Sequence, residues 1–279
     1  MKIINGKEIA AQLRGQLKEK IQKFPKKIGL SVVIVGDDPA SKIYVRNKVK
    51  ACQEIGIQSN VYELESSASQ AELESLLISL GKDETVHGIL LQLPLPKGFD
   101  TESATSKIPP EKDVDGFSAV DLGNLALNKP NFVACTPLGV MKMLEFEGID
   151  LTGKHAVVLG RSDTVGKPMA MLLLNANATV TICHSKTLNV EEICKQADIL
   201  VSAIGKAKYV TADMVKEGAV VIDIGMNRDE EGKLCGDVDY ENVAPKTSYI
   251  TPVPGGVGPM TITMLLYNTY KAAQSSLKE

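Results

Sequence analysis

The chain has 279 residues, of which 44% are hydrophobic and 23% are charged, values that exclude a disordered or fibrous protein. This length is enough for two modest domains. The formal net charge of −3 argues against nucleic acid as the main partner, because binding a polyanion requires clustered Lys and Arg. Every apolar run falls far short of the roughly 20 residues that a transmembrane helix needs, so we expect no membrane partner.

The N-terminal segment predicts a cytoplasmic protein. The first twenty residues become charged before a signal-peptide core could form. The five cysteines are an odd number and include no C-x-x-C pair, so we expect reduced, packed thiols. His87, His155 and His184 lie too far apart in the sequence to suggest a metal cluster, and no bound metal is expected.

Short β-branched runs alternate with helical patterns in the first third of the chain. In chain order, the pattern predicts strand 30–36, helix 39–55, strand 58–64, helix 70–80 and strand 86–92. Residues 93–116 contain four prolines and are predicted to be mainly loop with one short helix. A long ordered loop after a strand is usually functional.

The same alternation resumes in the second half, after a helix predicted over residues 135–147 that is expected to bridge two domains. The predicted strands cover residues 155–160, 179–184, 199–203 and 220–225. The predicted helices cover residues 167–175, 190–196 and 260–273. Strands that alternate with helices in this way are typical of parallel α/β architecture.

A strand, a glycine-containing turn and a helix follow one another in the segment AVVLGRSDTVGKPMA, in the order of a dinucleotide-binding site. Backbone amides in such a turn approach a pyrophosphate, and the helix N-terminus favours its negative charge. The match to G-x-G-x-x-G is imperfect, because Ser162 and Val165 stand where glycines normally follow Gly160. An ordinary turn without a ligand is the alternative.

The end of the next strand bears on the choice of cofactor. NAD sites usually carry Asp or Glu there for the ribose hydroxyls, whereas this strand ends in Cys183-His184-Ser185-Lys186. A carboxylate repels a 2′-phosphate, and Ser185, Lys186 and the nearby Arg161 do not. The sequence therefore favours NADP over NAD, with solvated surface cations at Arg161 and Lys186 as the alternative.

A lysine, an amide and a carboxylate in the first half of the chain, with a tyrosine beside the lysine, are candidates for the reaction site. Tyr44 and Lys48 lie four residues apart and share one helix face. Gln92 ends a strand and Asp115 lies in the loop KDVDGF. Because ligands of open parallel sheets bind beyond the carboxyl ends of the strands, these groups can converge on one crevice. The alternatives are a surface helix pair, a satisfied strand-end amide and a turn-forming aspartate before Gly116.

The segment TPVPGGVGPMT at residues 251–261 combines glycines with prolines. Glycine allows a flat ligand to approach the backbone closely, and proline restricts the freedom of the loop. The pattern is typical of a binding loop, with a linker between domains as the alternative.

Across nearly the whole chain, these residues resemble the family of bifunctional methylenetetrahydrofolate dehydrogenase/methenyltetrahydrofolate cyclohydrolase, called FolD in bacteria. The matching strings, in order, are YVRNKVKAC, GILLQLPLP, PPEKDVDGF, CTPLGV, GRSDTVGKPMA, TVTICHSKT, IDIGMN, GDVD and TPVPGGVGPMT. The resemblance implies NADP-dependent oxidation of 5,10-methylenetetrahydrofolate, followed by hydrolysis to 10-formyltetrahydrofolate in one-carbon metabolism. It also implies a homodimer and a folate cleft between two domains.

The resemblance assigns roles to individual residues of this chain. The catalytic lysine of the family matches Lys48, the glutamine that supports it matches Gln92, and the pterin-binding aspartate matches Asp115. The implied substrate contacts are Tyr44, Pro254, Gly255 and Gly256. The implied cofactor contacts are Gly160, Arg161, Ser162, Ser185 and Met226, the last of which stands where isoleucine is usual.

We therefore expect two α/β domains with a cleft between them. Residues 1–119 plus 258–279 are predicted to form the folate-binding catalytic domain, and residues 120–257 a Rossmann-like parallel-sheet NADP-binding domain. A dehydrogenase of the same family with little cyclohydrolase activity is one alternative. A shikimate-type NADP-dependent dehydrogenase explains Gly160 to Pro168 but not Lys48 with its partners. A non-catalytic NADP sensor is disfavoured because Lys48 and Asp115 are both present.

Overall fold

A computed structural model of the protein describes residues 1–277. The chain divides into two compact units. One contains Met1–Ala11 and Thr136–Thr261, and is called the six-strand unit after its main sheet. The other contains Gln12–Cys135 and the chain from Ile262 onward, and is called the three-strand unit.

Strands and helices alternate through most of both units. The strands are β1 (Lys2–Ile3), β2 (Gly29–Val35), β3 (Gln58–Leu64), β4 (Gly88–Leu91), β5 (His155–Leu159), β6 (Thr179–Cys183), β7 (Ile199–Ser202), β8 (Val220–Asp223), β9 (Asn227–Arg228), β10 (Leu234–Cys235) and β11 (Tyr249–Ile250). The α-helices are α1 (Gly6–Gln22), α2 (Pro39–Ile55), α3 (Gln70–Lys82), α4 (Thr101–Thr105), α5 (Ala119–Ala126), α6 (Cys135–Phe146), α7 (Gly166–Asn175), α8 (Val190–Cys194), α9 (Tyr240–Val243) and α10 (Val257–Ser275).

The three-strand unit is built on a parallel sheet with the order β3-β2-β4. The central strand β2 is buried along nearly its whole length, as expected of a parallel strand covered on both faces. Val33 and Val35 pack in one core cluster with Leu73 and Leu77 of α3. The carboxyl ends of β2 and β4 therefore lie side by side, in the position where such sheets bind ligands.

The six-strand unit has a parallel sheet with the order β1-β11-β8-β7-β5-β6. Val157, Leu200 and Val221 of its central strands are buried in a common core. The N-terminal strand β1 pairs with β11 at one edge, which explains why Met1–Ala11 belongs to this unit. A short antiparallel pair, β9 with β10, forms a separate sheet.

The predicted α/β class with parallel sheets is confirmed. Helix α2 and strand β3 have the predicted bounds, and the ends of the other predicted strands lie within two residues of the observed ones. The loop over residues 93–116 contains the one short helix expected there, α4. The last helix begins at Val257 rather than at residue 260.

Helix α1 is an element that our sequence interpretation did not include. Its apolar residues Ile9, Leu17 and Ile21 are buried and spaced in multiples of four, a clear helical signal within a strongly charged segment. Strands β1 and β11 were also not predicted, because two residues are too few to show a periodicity. Within residues 1–277, no helix is long and apolar enough to cross a membrane.

Candidate active site

Lys48 lies on helix α2, whose two ends are specified locally. At the start, the Asp38 carboxylate accepts a hydrogen bond of 2.7 Å from the Ser41 amide, which caps the helix. At the end, Gly56 has φ +91°, a left-handed conformation that favours glycine. Tyr44 stands one turn before Lys48, and its side chain is 40% exposed. The helix therefore presents both predicted residues in a fixed relative position.

Gln92 follows strand β4 directly, and its side-chain amide is held in one orientation. Its backbone N–H donates to the Val33 carbonyl over 2.8 Å, which keeps it beside the end of β2. Its Nε2 donates to the Leu93 carbonyl over 2.6 Å, so Oε1 faces the other way and accepts from Lys48 Nζ over 3.1 Å. Gln92 is only 8% exposed. The structure thus brings Lys48 and Gln92 together although 44 residues separate them.

Asp115 lies in the loop after α4, close enough to Lys48 for their charges to interact. Burial raises the pKa of the Asp115 carboxyl above its usual range. The positive charge of Lys48, and after it the polar contact with the Cys135 thiol, oppose that shift. The Asp115 carboxyl, the Lys48 ammonium and the Gln92 amide therefore form one cluster within the three-strand unit. The cluster lies beyond the carboxyl ends of the strands, where the sequence predicted ligand binding.

A second carboxylate in the same loop, Asp113, was not singled out by the sequence. Its Oδ2 accepts hydrogen bonds from the amides of Phe117 at 2.9 Å and Ser118 at 2.7 Å, which fold the loop around it. Burial, and then the charge of Asp115, raise the pKa of Asp113 to about 6. The sequence Asp-Val-Asp-Gly could have indicated this structural role for Asp113. Of two carboxylates so close together, only one can readily face a ligand, which leaves the other to bond within the loop.

Cys135 and Asn268 support the backbone next to Asp115. The Cys135 thiol is buried and donates to the Val114 carbonyl over 3.3 Å, and burial raises its pKa well above the usual range. Asn268 of α10 donates from Nδ2 to the carbonyls of Val114 at 2.9 Å and Val133 at 3.1 Å. Nothing in the local sequence of α10 distinguishes Asn268 from an ordinary helix residue.

A cavity of about 270 Å³ in the six-strand unit lies at the carboxyl ends of β5, β6 and β7. Three of the five predicted cofactor residues line it, namely Gly160, Arg161 and Ser185. The other lining residues are Leu159, Cys183, His184, Val190, Ala203, Ile204, Lys206 and Tyr209. The wall is therefore apolar with a polar and cationic rim, as expected of a site for a nucleotide.

The turn after β5 can approach its neighbours only because it contains glycines. Gly160 has φ +116°, and a Cβ there would lie 2.4 Å from the Ala203 carbonyl oxygen. A Cβ on Gly166 would lie 2.3 Å from the Gly160 carbonyl oxygen. Gly166, one position after the usual third glycine, thus provides the close strand-to-helix packing.

Ser162 has a structural contact that the sequence did not indicate. Its hydroxyl accepts hydrogen bonds from the amides of Val165 at 3.2 Å and Gly166 at 3.3 Å, at the start of α7. Some of the amides expected to point at a pyrophosphate are therefore already bonded within the chain. Met226, at the other end of the predicted cofactor set, is 47% exposed after β8.

The loop at residues 184–187 holds Ser185 in place. His184 donates its backbone N–H to the Thr187 hydroxyl over 2.9 Å, and its Nδ1 accepts from the Lys186 amide over 3.1 Å. Nδ1 is then an acceptor, so a neutral His184 carries its proton on Nε2. Ser185 is exposed between these two anchors and lines the cavity.

The predicted substrate loop at Pro254, Gly255 and Gly256 belongs to the six-strand unit. The Val253–Pro254 peptide is cis, and Gly255 has φ +103°. The Gly255 carbonyl accepts from the Lys7 amide over 3.0 Å, and a Cβ on Gly6 would lie only 1.8 Å from the Gly256 carbonyl oxygen. This close packing orders the loop, and Pro254 remains exposed.

A larger cavity of about 860 Å³ lies in the three-strand unit, at the amino ends of β2, β3 and β4. Its lining includes Lys26, Lys27, Glu84 and Glu111, a set of mixed charge, and none of the predicted site residues. Because parallel sheets bind ligands at their carboxyl ends, we place the site at Lys48 instead. In the described part of the chain, no group of three or more His, Cys, Asp or Glu side chains could hold a metal ion.

Two sequence models of one family match the chain. The model described as "Tetrahydrofolate dehydrogenase/cyclohydrolase, catalytic domain" matches residues 4–115. The model described as "Tetrahydrofolate dehydrogenase/cyclohydrolase, NAD(P)-binding domain" matches residues 134–277. Together the two matches contain the Lys48 cluster and the 270 Å³ cavity.

Relatives and solved structures agree with these matches. The chain is 55% identical to "Bifunctional protein FolD" of Campylobacter concisus, over 99% of both sequences. It shares 50% identity and a TM-score of 0.96 with the bifunctional FolD structure from Campylobacter jejuni, covering 99% of each chain. The Trypanosoma brucei FolD structure, solved with NADP cofactor and inhibitor, is 39% identical with a TM-score of 0.95 and covers 99% of this chain and 98% of that one.

Proposed function

The chain belongs to the tetrahydrofolate dehydrogenase/cyclohydrolase family, and we propose that it oxidises 5,10-methylenetetrahydrofolate to the methenyl form with NADP, then hydrolyses the product to 10-formyltetrahydrofolate. The observation that carries this proposal is the contact between Lys48 and Gln92 beside Asp115, since a dehydrogenase alone needs no such proton-transfer group. The three-strand unit is the proposed folate-binding unit, and the six-strand unit is the proposed NADP-binding unit.

The 270 Å³ cavity fits the nucleotide end of the cofactor. Gly160 allows the turn beside the cavity to pack closely against Ala203, Ser185 offers a hydroxyl, and Arg161 offers a positive charge. Ser162 keeps the turn in shape, and the backbone at Met226 is the proposed contact further along the cofactor. Bound NADP would accept the hydride that leaves the one-carbon bridge.

Hydrolysis of the methenyl group requires proton transfer at two atoms. Water attacks the cationic one-carbon centre and loses a proton, and ring opening then needs a proton on the departing ring nitrogen. We assign both transfers to Lys48, because a positioned side chain can relay a proton in this way. Gln92 keeps Lys48 Nζ in place, since its own amide cannot turn while Nε2 is bonded to Leu93.

Asp115 is assigned to the pterin ring. A carboxylate accepts hydrogen bonds from the amino edge of a pterin, and such bonds to a charged acceptor are strong. Lys48 and Cys135 favour the ionised carboxylate against its burial. Tyr44, exposed one turn from Lys48, is the proposed aromatic wall for the benzoyl part of the substrate, and Pro254, Gly255 and Gly256 are proposed to contact the substrate as well.

The homodimer and the cytoplasmic location remain predictions. The family resemblance carries the prediction of a homodimer. Sedimentation of the purified protein would measure its mass in solution, and a monomer at micromolar concentration would contradict the predicted homodimer.

A two-stage absorbance assay tests the proposed function. Purified protein is mixed with 5,10-methylenetetrahydrofolate and either NADP or NAD, and the absorbance of the methenyl product is followed. We expect formation that depends on the cofactor and is faster with NADP. The decay of added methenyltetrahydrofolate is then compared with its uncatalysed rate. If no cofactor-dependent methenyl product forms, the main proposal is wrong; if only the decay is unaccelerated, the chain is a dehydrogenase alone.

A further inference from the structure

Lys206 lines the same 270 Å³ cavity as Arg161 and Ser185, although no sequence signal marked it. We infer that Lys206 is a specificity-determining residue that binds the 2′-phosphate of the cofactor and thereby favours NADP over NAD. The inference rests on the proposed function, because it concerns the nucleotide that this cavity takes. It adds a further group to Arg161 and Ser185, the two residues near the predicted phosphate site that line this cavity.

A buried carboxylate, that of Asp237, fixes the backbone of Lys206. Asp237 is fully buried, and its Oδ1 accepts from the Lys206 amide over 2.9 Å. Its Oδ2 accepts from the Ile204 amide over 2.8 Å and from the Ser202 hydroxyl over 3.0 Å. Asp237 therefore holds the last residue of β7 and two amides of the loop that follows it, so the backbone position of Lys206 at the cavity rim is fixed.

The side chain of Lys206 is also oriented. Its Nζ lies 5.4 Å from the centroid of the Tyr209 ring, within the range of a cation–π contact. Tyr209 lines the cavity too, so this contact holds the ammonium at the rim and not far out in solvent. Orienting a flexible lysine before the ligand arrives reduces the entropy lost on binding.

The charges around the cavity suit a dianion. The described lining residues include the cations Arg161 and Lys206 and no carboxylate. Both cations line one cavity of about 270 Å³, and charges within about 8 Å of one another are only weakly screened at physiological salt. NADP and NAD differ only by the 2′-phosphate, so a lysine that binds it improves binding of NADP alone.

Binding of two nucleotide fragments to the intact protein tests this role without requiring catalysis. Adenosine 2′,5′-bisphosphate carries the 2′-phosphate and AMP lacks it. Calorimetry with each fragment is carried out on the unchanged protein and on the variants Lys206→Gln and Lys206→Arg. Lys195→Gln is the matched control, because it removes one positive charge from the same unit, where the exposed side chains of Lys195 and Glu192 form an ion pair.

We expect Lys206→Gln to raise the dissociation constant of adenosine 2′,5′-bisphosphate about tenfold, as for loss of a charge-assisted hydrogen bond, and to change that of AMP less than twofold. Lys206→Arg should retain most of the preference, and Lys195→Gln should leave both constants unchanged. Equal weakening of both fragments, or no change in either, would overturn the inference. If the unchanged protein itself shows no preference for the 2′-phosphate, the proposed use of NADP is wrong, whatever the role of Lys206.

Discussion

The Lys48 cluster and the cofactor cavity are built by different physical means. The cluster depends on partly or fully buried side chains, in which one amide orients one ammonium beside a carboxyl. The cavity depends on backbone shape at Gly160 and Gly166 and on cations at an exposed rim. Loss of a group in the cluster should therefore affect the chemical step strongly. Loss of a rim charge should affect cofactor affinity modestly, since solvent screens exposed charges.

The largest expected effect is on Lys48. Lys48→Met should reduce cyclohydrolase turnover by about 10²- to 10⁴-fold, the usual contribution of a positioned proton-transfer group. The decay of methenyltetrahydrofolate measures it. Lys50→Met is the control, because Lys50 is an exposed lysine on the same helix. Full cyclohydrolase turnover in Lys48→Met would show that the cluster does not perform the proton transfers.

Asp115→Asn tests whether the two reactions share one pterin site. Asparagine has nearly the same shape as aspartate but lacks its negative charge and one of its two acceptor oxygens. Hydrogen bonds from the pterin N–H groups are therefore weaker, and we expect kcat/KM to fall about tenfold or more for both activities. Both assays are run on one preparation. A decrease in only one activity would contradict a shared role for Asp115 in binding.

Gly160→Ala tests whether backbone shape determines the cavity. The new Cβ would lie 2.4 Å from the Ala203 carbonyl oxygen in a backbone with φ +116°, so we expect a loss of about 3 kcal/mol in the free energy of unfolding, together with weaker NADP binding. Gly15→Ala is the matched control, because Gly15 lies in helix α1 with open space around it, and alanine should stabilise the helix by about 0.5–1 kcal/mol. Unchanged stability and NADP affinity in Gly160→Ala would remove the contrast between the two regions.

The raised pKa of the Asp113 carboxyl predicts that the stability of the protein depends on pH. Its folded pKa of about 6 lies above the roughly 3.9 of an unfolded aspartate, so the folded state retains a proton that the unfolded state has lost. The contribution of Asp113 to the free energy of unfolding is therefore fully present below about pH 4. It decreases by about 2 kcal/mol as the pH rises from 4 to 6. Denaturant unfolding between pH 4 and 7 should show this decline in the unchanged protein relative to Asp113→Asn. Parallel pH curves for the two proteins would exclude this titration.

The smallest expected effect is at the rim of the cavity. Arg161→Gln should raise the KM for NADP about tenfold and leave that for NAD nearly unchanged, because Arg161 is exposed and acts on the phosphate alone. Steady-state kinetics with both cofactors measure the difference. An equal rise in both KM values would mean that Arg161 shapes the turn instead of selecting the phosphate.

Local patterns predicted most of the secondary structure. The alternation of β-branched runs with amphipathic helices indicated parallel sheets, and the helical pattern over residues 39–55 gave helix α2 its observed bounds. The strands β1 and β11 were not predicted, because each has only two residues and their pairing joins residues nearly 250 positions apart. Such pairings leave no periodicity in the sequence.

The amino-acid sequence alone was enough to select the residue types of the catalytic cluster and the α/β class, because spacing along a helix and position at a strand end are local properties. It did not reveal the roles of Asp113, Asn268 or Lys206. Asp113 turns inward because two loop amides point at it, and Asn268 reaches Val114 across 154 residues. Lys206 stands at the cavity because the buried Asp237 holds its backbone. These roles follow from contacts between distant segments, and such contacts exist only once the chain has packed.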